Sequence, residues 1–125
     1  MAAPTAEMGL AEIVKELLRL HSIRPNWNGL DSVPPTFDAI GRAISVLSAL
    51  QETWIQPTRV TASAEGGVAI TFRRHEKFAS VESLNSGEIV LLTSDGTGNP
   101  CAREVAATDE ALRKTAQDLC EYFKH

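Results

Sequence analysis

Pro57 divides the sequence into two regimes of hydrophobic spacing. Before it, apolar residues recur three and four positions apart, whereas from Arg59 to Thr93 they alternate with polar ones or gather in short runs. A side-chain period near 3.6 belongs to a helix and a period of two to a strand. The chain therefore predicts an α+β fold with helices first and a sheet after them. Its 125 residues suit one domain around one modest core, and a single α+β domain over residues 8–125 is expected, preceded by a flexible N-terminus over residues 1–7.

Residues 8–22 set Leu10, Ile13, Val14, Leu17 and Leu18 on one side of a helix, with Glu12, Lys15, Glu16 and Arg19 on the complementary side. Residues 23–36, IRPNWNGLDSVPPT, are rich in turn residues and read as an ordered connecting loop that Trp27 and Leu30 anchor. Thr36 then caps a second helix, with Asp38 in its first turn and a stripe of Phe37, Ile40, Ile44 and Leu47 that Val46 and Leu50 broaden. Gly41 weakens this helix by about 1 kcal/mol relative to alanine and leaves room for another backbone to approach. Thr108 caps a third helix, whose Leu112, Ala116, Leu119 and Phe123 share one face.

Strands are expected over residues 59–64, 68–73, 77–83 and 88–93, with Gly66-Gly67 supplying one turn and Asn85-Ser86-Gly87 another. The simplest arrangement is a four-stranded antiparallel meander between two N-terminal helices and a C-terminal helix packed on the sheet. The run Ile89 to Leu92 is apolar on both faces, which predicts a strand covered on both sides or one whose outer face meets a helix or a partner. Residues 94–100 read as a polar connection to the last helix, which places Cys101 in a loop and Cys120 on a helix.

The formal charge is −4, from 16 acidic and 12 basic residues, which gives no broad positive surface for general nucleic-acid binding. No apolar run approaches the ~18 to 20 residues that cross a bilayer. The first residues lack the basic and apolar regions of a secretory signal, so a cytoplasmic protein with no membrane attachment is expected. The two cysteines are too far apart for a C-x-x-C pair. His75-Glu76 does not continue to a second histidine, since position 79 is alanine, and Asp95-Gly96-Thr97-Gly98 is an incomplete dinucleotide fingerprint that reads as a turn. No catalytic residue, metal ligand or cofactor is predicted. Carboxylate pairs such as Glu76 with Asp95 do acid–base work only if two different environments meet at a cleft.

Two surface patches remain. Trp27, Asn28, Leu30 and Asp31 form one, an aromatic anchor among polar neighbours. Arg73, Arg74 and Lys77 form the other, a basic turn suited to electrostatic contact with a protein. They favour a small intracellular protein-interaction module, with another protein or a second copy as partner and regulation or inhibition among its roles. The alternative is a small enzyme or a small-molecule-binding protein.

Trp27-Asn28-Gly29, Pro34-Pro35, a helix, a proline and the Glu65-Gly66-Gly67-Val68-Ala69-Ile70 hairpin together resemble a group of small uncharacterised bacterial proteins. Those proteins look like carriers of a Trp-Asp/Asn-Gly step, a proline-rich helix entry and a glycine hairpin before an apolar strand. The resemblance covers residues 25–95. Asn28 stands where aspartate is common in that group, so no need for a carboxylate carries over. The resemblance implies a bacterial setting, with a role in a toxin, phage or regulatory complex, and implies no enzymatic activity.

Overall fold

The computed structural model describes residues 10–21, 33–96 and 100–124. In chain order they form α1 (Leu10–His21), α2 (Phe37–Leu50), β1 (Arg59–Ala62), β2 (Gly67–Arg74), β3 (Lys77–Leu84), β4 (Ile89–Ser94), β5 (Cys101–Val105) and α3 (Asp109–Lys124). The fold is α+β as expected. The sheet has five strands in the order β1-β2-β3-β4-β5, each antiparallel to its neighbour, rather than four.

The additional strand, β5, corrects the reading of the segment before α3 as loop, and Cys101 opens that strand. It pairs with β4 from Thr93↔Cys101 to Ile89↔Val105. Of its side chains Val105 alone is buried, so β5 carries no apolar alternation for the sequence to reveal. Backbone pairing to one neighbour holds it, as suits an edge strand with the charged Arg103 and Glu104.

Register lays Val60, Ile70, Val81 and Leu91 in one row across four strands. With Ala62, Val68, Phe72, Ala79 and Ile89 they form the buried face. Ile13, Leu17 and Leu20 of α1 join them in one core with Ile40, Ala43, Leu47 and Leu50 of α2 and Leu112, Ala116, Leu119 and Phe123 of α3. Each large side chain fully withdrawn from water there contributes about 1.5–3 kcal/mol. On β4, Ile89 and Leu91 face this core, whereas Val90 and Leu92 point to the opposite face and are half-buried.

α3 buries Leu112, Ala116, Leu119 and Phe123 as expected, whereas α1 and α2 each depart from their expected faces at a few positions. On α2, Ile40, Val46, Leu47 and Leu50 are buried as expected, but Phe37 is 64% exposed and Ile44 only borders the core, while Ala39 and Ala43 point inward. The small Ala39 brings the helix backbone close to the sheet, where the buried Ser83 hydroxyl donates to the Ala39 carbonyl at 2.7 Å. On α1, Leu20 is buried and Leu18 is exposed, because Ile13, Leu17 and Leu20 complete the i, i+4, i+7 line.

Thr36 caps α2 by accepting from the Ala39 amide at 3.1 Å, and Thr108 does the same for α3 from the Ala111 amide at 3.2 Å. Asn85 fastens the start of α2 to the β3–β4 turn, accepting from the Thr36 amide at 2.9 Å and donating to the Pro34 carbonyl at 3.1 Å. Gly41 meets nothing within 4 Å where a Cβ would stand. Among the described residues no backbone uses that space, so Gly41→Ala should raise stability by about 0.5–1 kcal/mol through helix propensity and a less flexible unfolded chain. Thermal unfolding should show a midpoint a few degrees higher; a lower one would show that the position is packed in solution.

Candidate interaction site

β2 and β3 are joined by the two-residue turn His75-Glu76, flanked by the last pair of the ladder, Arg74↔Lys77. His75 lies at φ 57, the left-handed conformation that such tight hairpins require and that side chains other than glycine adopt seldom. Strand alternation decides where the neighbouring cations go. Arg74 and Lys77 share the helix-covered face with Phe72 and Ala79, whereas Arg73 stands on the opposite face beside Phe78.

The basic turn expected from sequence is thus divided between two surfaces. On the open face the Arg73 guanidinium lies 5.6 Å from the centroid of the Phe78 ring. On the helix side, Trp54 comes from the segment linking α2 to β1, and the Arg74 guanidinium lies 5.0 Å from the centroid of its ring. Lys77 reaches the end of α3, donating to the Tyr122 carbonyl at 2.7 Å with its ammonium 5.1 Å from the Tyr122 ring centroid. A cation at that position also complements the negative end of the helix.

Two adjoining concavities flank Arg74. The smaller, about 120 Å³, is walled by Trp54, Ile55, Phe72 and Phe123 and bordered by Gln56, Thr58, Arg73 and Arg74. The larger, about 420 Å³, is bounded by Arg74, His75, Glu76, Lys77, Asp95 and Phe123. Phe123 forms the wall they share, its ring held edge-on to Tyr122 at 5.0 Å and tilted against Phe72 at 6.4 Å. Glu76 and Asp95 both border this concavity, in the company of two cations.

Nearby, burial pushes the Tyr122 phenol above its ordinary range, and the Asp95 carboxylate adds to the effect. The Phe78 and Ser94 backbones lie close enough to oppose this slightly, yet the hydroxyl completes no hydrogen bond of proper geometry among the described residues. Cys101 is exposed at the start of β5 and Cys120 is half-buried on α3, both as free thiols. Among the described residues, no three His, Cys, Asp or Glu side chains are grouped to hold a metal ion, and no helix is long and apolar enough to cross a membrane.

Of the residues expected to bind, Arg73, Arg74 and Lys77 are placed as above, and Trp27, Asn28, Leu30 and Asp31 lie outside the described residues. Trp54 is the member that sequence reasoning missed. It is 53% exposed, though its position between an apolar helix and a strand gave it an equally ordinary core role. The proximity of Trp54 and Arg74 is tertiary, across twenty residues of chain, and no local pattern announces it.

The chain matches no protein-family model, and comparison with curated proteins and with solved structures finds none similar to it.

Proposed function

We propose that this chain is a small protein-interaction module whose contact surface is the end of the sheet at the β2–β3 turn. The observation that carries the reading is the exposed Trp54 ring with the Arg74 guanidinium stacked on it. Tryptophan and arginine are the side chains that most often dominate binding energy at protein interfaces. Stacking also holds the guanidinium in place before a partner arrives, which lowers the entropy lost on binding. The Arg74 side chain makes no hydrogen bond to an acceptor among the described residues, which leaves its N–H donors for a partner.

The test is affinity capture from a native extract, with wild type, Trp54→Ala and Arg73→Ala compared quantitatively after each has been shown to be folded. A partner retained by wild type and Arg73→Ala, but at least tenfold depleted on Trp54→Ala, supports the reading. Equal retention by all three, or loss on Arg73→Ala alone, overturns it and moves the contact away from this end of the sheet.

A further inference from the structure

Resting on that reading, we infer that the partner feature recognised is a carboxylate beside an apolar side chain, in an acidic and hydrophobic peptide segment. The two concavities differ in character, and Arg74 stands between them. The smaller, walled by Trp54, Ile55, Phe72 and Phe123, has about 120 Å³, the room of roughly four waters at ~30 Å³ each. One branched aliphatic side chain fills such a volume, and the carbon walls favour it over a polar group. The residue next to it in the partner then comes to Arg74.

The charge around Arg74 selects what that residue carries. In the larger concavity Glu76 and Asp95 offset Arg74 and Lys77, so the region has no large positive excess. Lys77 already donates to the Tyr122 carbonyl, and Arg73, although it borders the smaller concavity, carries its guanidinium to Phe78 on the other face of the sheet. The Arg74 guanidinium, which makes no side-chain hydrogen bond to a described residue, is therefore the cation most free to take an anion. Its planar fork matches a carboxylate with two parallel N–H···O bonds. Glu76 and Asp95 repel any anion, and a phosphate dianion, with twice the charge of a carboxylate, is opposed about twice as strongly. Lysine or arginine on the partner would face the Arg74 charge directly.

The full-length chain should be used to select peptides from a random library displayed on phage, and the best peptide then made synthetically and titrated by calorimetry. Selected sequences should place Asp or Glu next to Leu, Ile, Val or Phe. Changing that acidic residue to its amide should weaken binding at least tenfold, as should Arg74→Ala. The two changes together should cost little more than either alone, because both remove the same contact. Arg74→Lys should not restore affinity, Arg73→Ala should leave it within twofold, and inorganic phosphate at millimolar concentration should not compete.

Peptides that need Trp54 but carry no carboxylate, or that bind equally well as the amide, overturn the carboxylate assignment and leave the docking surface standing. Failure to select any peptide whose binding depends on Trp54 overturns both. Competition by phosphate at low millimolar concentration replaces the carboxylate with a phosphorylated partner.

Discussion

Replacing Phe72 with alanine should remove about 3–5 kcal/mol of stability, the range for deleting a buried aromatic side chain. Phe72 is 2% exposed and stands on β2, the second strand of the sheet, facing all the helix side. It touches Phe123 from α3 and floors the small concavity beside Trp54. Its loss would leave a void between sheet and helix that neither can close, since β2 is fixed by ladders on both sides. A small domain has only about 5–15 kcal/mol in total, so much of the population should unfold under mild denaturant. Urea titration followed by circular dichroism gives the midpoint. Phe72→Leu, which keeps most of the volume, should lose less than half as much, and equal losses would mean that the site collapses around either residue.

Gly67→Ala should be of comparable severity for a different reason. Gly67 has φ +134, and a Cβ on it would stand 2.1 Å from the Ser83 carbonyl oxygen and 2.8 Å from the Leu84 Cα. Both are backbone atoms of the paired strand, tied into the β2–β3 ladder at Gly67↔Leu84 and Val68↔Ser83. Neither can swing aside as a side chain does. Backbone strain of about 1–3 kcal/mol adds to the cost of separating the strands, and a total loss of at least about 3 kcal/mol is expected. Gly66→Ala provides the comparison. Its φ is +91, and its nearest neighbours, at 3.1 Å, are the side chains of Asn85 and Val33. It should lose clearly less in the same urea titration, and an equal loss would mean that positive φ, not the ladder contact, sets the cost at Gly67.

The difference between these glycines shows what sequence patterns convey. Gly66-Gly67 marks a turn in any reading, but which glycine lies under a neighbouring strand depends on register, and register is tertiary. The helices and the four apolar strands were legible because burial imposes a period on them. β5 was not, because Val105 is its one buried side chain, too few to impose a period. The misplacement of Phe37 and Ile44 on α2 has a similar origin. Phe37 is large and apolar at helical spacing, yet the structure turns small alanines inward so that Ser83 can reach the Ala39 carbonyl.

Part of the candidate site was within reach of the sequence. Once Phe72 is assigned inward, alternation alone sends Arg73 outward and Arg74 inward, so the basic turn cannot act as one patch. The partner of Arg74 was not within reach. Trp54 arrives from a different segment, positioned by the turn after α2, where Thr53 donates its hydroxyl to the Leu50 carbonyl at 2.7 Å, and by Thr58, whose amide donates to the Thr71 carbonyl at 2.8 Å.

The strictly sequential order of the sheet bears on how the molecule is made. Every strand pairs with its neighbour in the chain, so the sheet assembles by closing short loops, which costs little entropy and proceeds quickly. The layer that seals it does not share that economy. α1 and α2 leave the ribosome before any strand exists, and α3 leaves after all of them. Phe72 and its neighbours therefore wait half-covered during synthesis, and Lys77, which binds the end of α3, fastens an early hairpin to the last helix to appear.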